Sequence, residues 1–197
     1  MAASPAAVAT AGDWERMWAP YDETIYGQVL AWLNPDDVVL DIGAGDLRLA
    51  RRMARRAKHI YAIELNQELV TMVTSPLAAN NLTVIWGDAY QVLFPSNISV
   101  AVLLMRHCRG FSRLLAKLRY VGCQRLITNA RWRIGVELID LRVHPIPFQA
   151  ATLGWYACEC GSTGFVQGPA DMITMQIESA VQEVSNCPAC SLKASLK

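Results

Sequence analysis

The stretch Val38 to Asp46, VVLDIGAGD, constrains the fold more than any other part of the chain. Val38, Val39, Leu40 and Ile42, broken only by Asp41, make an apolar run of the kind that forms a strand buried on both faces, as in a parallel sheet covered by helices. Gly43 and Gly45 follow directly. A residue without a Cβ lets the backbone turn through positive φ or come close to a ligand. Open α/β sheets bind ligands at such turns, at the carboxyl end of the first strand. The expected fold is therefore α/β and Rossmann-like, a mostly parallel sheet with helices on both faces.

The same turn narrows the choice of ligand. A dinucleotide fingerprint needs a third glycine three residues after the second, and that position is Arg48. Asp41 and Asp46 bracket the turn with negative charge, which repels a pyrophosphate and suits the ammonium and sulfonium groups of S-adenosylmethionine. Glu64 ends the next apolar stretch, HIYAIE from His59. It stands about twenty residues on, where an acid accepts hydrogen bonds from ribose hydroxyls. The three acids point to one nucleoside.

These residues resemble the class I S-adenosylmethionine-dependent methyltransferases, over roughly Tyr21 to Asn129. LDIGAGD at Leu40 to Asp46 matches the first motif, Glu64 the acidic position after it, and WGDA at Trp86 to Ala89 the adenine-contacting motif. The resemblance implies that Gly43 and Gly45 flank the methionine moiety, that Glu64 holds the ribose, and that Asp88, followed by Ala89, faces the adenine amino group. In the family a segment ahead of the first strand often closes over the cofactor, which brings Tyr21 or Tyr26 to the site. Aromatics that cover the sheet edge are the alternative for both.

A second run, Ile98 to Leu104, apolar but for Ser99, leads into Met105-Arg106-His107-Cys108, where family members keep the residues that meet the acceptor. Many that methylate amino groups carry Asn or Asp followed by Pro-Pro-Tyr there, and rRNA adenine dimethylases carry Asn-Leu-Pro-Tyr. This chain has neither. His107, a group that titrates near neutrality, is the candidate base. Arg106 is the candidate clamp for an acceptor carboxylate or phosphate. A helix-capping His107 and a solvent-facing Arg106 stay open as alternatives. Arg131 and Arg133, with Trp132 between them, are read either as a holder for an anionic acceptor or as a core tryptophan with a surface pair.

Composition sets outer limits. With 53% hydrophobic and 18% charged residues the chain is globular rather than disordered. A formal net charge of +1 encodes no global pull toward nucleic acid or membrane. Residues 98–105, the longest apolar run, are too few to span a bilayer, so no membrane partner is expected. The arginines at positions 48, 51, 52, 55 and 56 flank an apolar helical face of Leu47, Ala50, Met53 and Ala57, and read as a solvated face before they read as an RNA contact. Residues 1–12 read as a flexible tail without a secretory signal, residues 13–150 as the cofactor-binding core, and residues 151–192 as a final β-hairpin within the same domain. Six cysteines in a chain with an ample core suggest a reducing, cytoplasmic setting.

Four of those cysteines form two close pairs, Cys158-x-Cys160 and Cys187-x-x-Cys190. Two turns that each converge two thiolates match tetrahedral zinc. The expected site is structural, pinning an antiparallel hairpin whose strands lie near residues 152–157 and 173–181. Methyl transfer from S-adenosylmethionine is the expected activity, with a small molecule or a protein side chain favoured as acceptor. The alternatives are an RNA-modifying enzyme that uses the zinc site as a reader, and a non-catalytic cofactor-binding subunit.

Overall fold

The computed structural model describes residues 23–69, 80–106, 108–131 and 135–190. Its main sheet has six strands: β1 (Val38–Ile42), β2 (His59–Glu64), β3 (Leu82–Trp86), β4 (Val100–Leu103), β5 (Arg125–Thr128) and β6 (Glu137–Asp140). Their order is β3-β2-β1-β4-β5-β6, parallel except for β6 against β5. The chain moves outward from β1 through β2 to β3, then crosses to the other side of β1 for β4. That reversal opens a crevice beyond the carboxyl ends of β1 and β4, the ligand position in doubly wound sheets.

Strand alternation divides the core in two. Val39, Ile60, Ala62, Val100, Val102 and Ile127 face helix α1 (Glu23–Ala31), through Tyr26 and Val29, and helix α2 (Arg48–Met53), through Leu49, Ala50 and Met53. Leu40, Ile42, Ile63, Ala101, Leu103 and Leu126 face Phe111, Leu114, Leu115 and Leu118 of helix α3 (Phe111–Tyr120). Helix α3 stops where Gly122 takes up a φ of 74°, as expected of a glycine just past a helix end. At the amino ends of the strands, buried Asp37 accepts both Arg125 Nη2 contacts (2.6 and 2.7 Å) and the Ser99 hydroxyl (2.7 Å), tying β1, β4 and β5 into one edge.

The C-terminal part departs in detail from the expected hairpin. It is a separate three-stranded sheet in the order β8-β7-β9, with β7 (Gly154–Cys158), β8 (Thr163–Val166) and β9 (Val181–Val184). The antiparallel hairpin is β7 with β8, whereas the two strands that lead to the cysteine pairs, β7 and β9, run parallel. Residues 173–181 alternate enough to suggest a strand. Instead, Thr174 caps a short helix α4 (Met175–Ser179), its hydroxyl accepting the Ile177 N–H at 3.3 Å, and that helix makes the crossover a parallel pair requires.

Candidate cofactor site and cysteine cluster

The crevice begins at the glycine turn after β1. Gly43 and Gly45 both adopt positive φ (77° and 57°), and the Gly43 and Ala44 N–H groups both donate to the Ile63 carbonyl of β2 (2.9 and 3.0 Å). Since Ile42 pairs with Ile63, Glu64 falls beside the turn. Its carboxylate accepts the Gly45 N–H on one oxygen (2.7 Å) and the Asn66 N–H on the other (2.8 Å). A Cβ on Gly43 would sit 3.1 Å from Met105 Cε, so a side chain from the end of β4 already closes over this turn.

Beneath the turn lies Asp41, 4% exposed. Burial, with the Glu64 charge as the lesser cause, pushes its carboxyl up to about 7. Among the described residues neither Asp41 nor Glu64 meets a cationic side chain. Two buried acids without a counter-cation favour a positively charged ligand and disfavour a pyrophosphate. Asp46 does not join them. Its carboxylate accepts the Arg48 N–H (3.1 Å) and forms an ion pair with the Arg48 guanidinium, so the three-acid expectation becomes two unneutralised acids.

The adenine-side residues follow β3. Gly87 N–H donates to the Glu64 carbonyl (2.9 Å), which sets Asp88 next to the cradle. The Asp88 side chain accepts the Tyr90 N–H (2.8 Å), and the Ala89 carbonyl accepts Lys117 Nζ (2.5 Å). The residues present therefore fit S-adenosylmethionine: paired glycines at a close approach, a buried acid at the second strand end and unneutralised negative charge. Tyr26 is buried in the core cluster with Val29, Val39 and Ile60, its hydroxyl pushed up to about 12 by burial. Arg106 is exposed at the end of β4. Tyr21 and His107, expected at the cofactor and as the base, lie outside the described residues, as do Trp132 and Arg133.

Past the end of β5, Arg131 and Asn129 take parts that the sequence did not suggest. Arg131 is no holder of an anionic acceptor. It is 2% exposed and grips Glu137 of β6 through Nε (2.6 Å) and Glu183 of β9 through Nη1 (2.6 Å) and Nη2 (2.7 Å), tying the small sheet to the large one. Asn129, just past β5, is 8% exposed, and neither its amide nitrogen nor its amide oxygen has a hydrogen-bond partner. An unpaired buried polar group costs about 1–3 kcal/mol.

Away from the crevice, the four cysteines expected to bind metal do come together. Their sulfurs lie within 4.8 Å of one another, with Sγ separations of 3.7 Å for Cys158 and Cys190, 3.7 Å for Cys160 and Cys187, and 3.8 Å for Cys187 and Cys190. With zinc–sulfur bonds of about 2.3 Å, a tetrahedron has edges of about 3.8 Å. The spacing is that of a tetrathiolate site with no open position. The turn carrying Cys160 also packs on the main domain: a Cβ on Gly161 would lie 3.3 Å from Phe111 Cβ, and Glu159 forms an ion pair with Arg119 of α3.

Comparison with known families adds a decisive observation. The model of the ribosomal RNA adenine dimethylase family matches residues 21–130, more than half of the chain. The chain belongs to that family. The match bears out the class I methyltransferase resemblance and covers the glycine turn, Glu64, Asp88 and β4; it ends before β6 and the cysteine-bearing sheet. A relative from Methanosarcina mazei named as a probable ribosomal RNA small subunit methyltransferase A is 48% identical over 66 residues, 33% of this chain and 24% of its own. A ribosomal RNA small subunit methyltransferase A of Clostridium botulinum is 34% identical over 76 residues, 37% of this chain and 28% of its own. The chain thus spans about a quarter of the length of these curated relatives. A solved structure, a dimethyladenosine transferase from Plasmodium falciparum, aligns at 24% identity over 54% of this chain and 41% of its own, with a TM-score of 0.49.

Proposed function

We propose that this protein is an S-adenosylmethionine-dependent methyltransferase whose acceptor is an adenine base in RNA. The observation that carries the cofactor assignment is the Glu64 carboxylate, buried at the end of β2 and bonded to the Gly45 N–H of the positive-φ turn. Each carboxylate oxygen keeps a lone pair beyond its backbone partner, enough to accept two ribose hydroxyls. Asp41 supplies negative charge beneath the methionine end, and Asp88 lies on the adenine side. When bound, the cofactor supplies an electrophilic methyl on a sulfonium. The chain's part is to fix the acceptor in line with that methyl and to keep water out, which is where alignment lowers a barrier most.

Family membership supports RNA as the acceptor and revises the preference for a small molecule or protein side chain. Net charge was a poor guide to that choice, because Arg55, Arg56 and Lys58 are exposed together after α2 although the whole chain is near neutral. The end of β4, Leu104-Met105-Arg106, lacks the Asn-Leu-Pro-Tyr of the resemblance; Arg106 stays the candidate clamp for a phosphate of the acceptor, and contacts to the base itself are assigned elsewhere in the crevice. The cysteine cluster is assigned to structural zinc, bracing the small sheet against α3. Incubation with methyl-labelled cofactor, small-subunit rRNA transcript and bulk protein tests the reading. Label in methylated adenosine after nuclease digestion is expected. Label in protein alone would refute RNA as the acceptor.

A further inference from the structure

Asn129 is the one described residue that carries buried, unpartnered side-chain polar atoms, and it carries two. Its place in the sheet gives those atoms a use. Asp41 pairs with Val102, and Val102 with Ile127, so two residues further on Gly43, Leu104 and Asn129 form one row across β1, β4 and β5. The ladder continues that far, since the Asn129 N–H donates to the Leu103 carbonyl at 3.4 Å. Two strand spacings put Asn129 about 10 Å from the glycine turn. Alternation from Ile127 returns its side chain to the face shared by Asp41 and Leu104, while Ala130 joins the opposite cluster with Leu126. Asn129 therefore stands across the crevice from the cofactor cradle, on the acceptor's side.

We infer that the Asn129 carboxamide takes the base edge of the acceptor adenine. A carboxamide offers one acceptor oxygen and two N–H donors in a plane, the complement of an amino group beside a ring nitrogen. Oδ1 accepts from the exocyclic amino group and Nδ2 donates to the neighbouring ring nitrogen, which holds the nucleophilic nitrogen toward the cradle. An amide left unpaired in a buried place lowers stability, and it is kept where a ligand completes it. In this chain the contact stands in for acceptor residues that Leu104-Met105-Arg106 does not provide. The inference rests on the RNA reading above and adds the residue that selects the base.

The test uses the full chain, nitrogen-labelled and loaded with S-adenosylhomocysteine. It is titrated with a short oligoadenylate RNA and, separately, with the same oligomer of purine riboside, in which hydrogen replaces the amino group. The side-chain amide pair of Asn129, identified by its absence in Asn129→Leu, is expected to shift with oligoadenylate and to stay in place with purine riboside. A pair that moves with neither oligomer, or equally with both, overturns the inference. Asn129→Leu, which replaces the unpaired amide with two methyl groups on the same branched skeleton, is expected to melt no lower than the parent and to bind S-adenosylmethionine unchanged. It should lose RNA methylation about a hundredfold; undiminished methylation would also overturn the inference. If the amide pair shifts as expected while labelled methyl never reaches RNA, the catalytic reading fails and the base-binding role of Asn129 stands.

Discussion

Asp41 and Glu64 divide one task between them: Glu64 holds the glycine turn with one oxygen and the Asn66 N–H with the other, and Asp41 lies buried beneath the turn. Each makes its own prediction. Asp41 titrates near 7 when folded, against about 4 in an unfolded chain, so between those values the folded state binds the extra proton and stability falls as pH rises. Thermal melts of the ligand-free protein across about pH 4 to 7 should show that decline, and Asp41→Asn should flatten it. For Glu64→Gln, the amide nitrogen would face a backbone N–H. It should cost about 1–3 kcal/mol of stability and weaken S-adenosylmethionine binding at least about tenfold, read by denaturation and calorimetry. Both acids were legible in the sequence because Asp41 alone interrupts one apolar run and Glu64 ends the next. The neutralisation of Asp46 by Arg48 was not, since two side chains two residues apart meet only through the turn that Leu47, at a φ of 62°, completes. The unpaired state of Asn129 was equally invisible, because whether a polar group finds a partner depends on strands far apart in the chain.

At the level of elements, β1, β2 and β4 could be read from their apolar runs, with ends within two residues of those observed. The small sheet could not. Its parallel β7–β9 pairing hangs on whether residues 173–181 form a strand or a helix, and the Thr174 cap decides for the helix against a loosely alternating pattern. One attachment to the main sheet is Arg131 between Glu137 and Glu183, a contact spanning 52 residues in sequence. Removing the cation strands two carboxylates in a largely buried setting. Arg131→Leu should therefore destabilise the protein by about 3–5 kcal/mol in denaturant melts, and replacing Glu137 and Glu183 with apolar residues in the same chain should recover much of that loss.

Across the whole molecule, a glycine-turn cradle at the carboxyl ends of the strands is accompanied by a cysteine cluster whose turn packs on Phe111 and Arg119 of α3. Elemental analysis should give one zinc per chain. Chelation should lower the melting temperature and alter Trp155 fluorescence, because that ring packs edge-on against Phe165 in the sheet whose β7 and β9 lead to the four cysteines, with centroids 5.3 Å apart. The central claim is that the acid-lined cradle grips an adenosyl sulfonium and no pyrophosphate. Calorimetric titration of the parent and of Glu64→Ala with S-adenosylmethionine and with NAD tests it most directly. The account predicts stoichiometric binding of S-adenosylmethionine by the parent, its loss in Glu64→Ala, and no heat from NAD with either protein. Saturable NAD binding by the parent, or S-adenosylmethionine binding that survives Glu64→Ala unchanged, would contradict it.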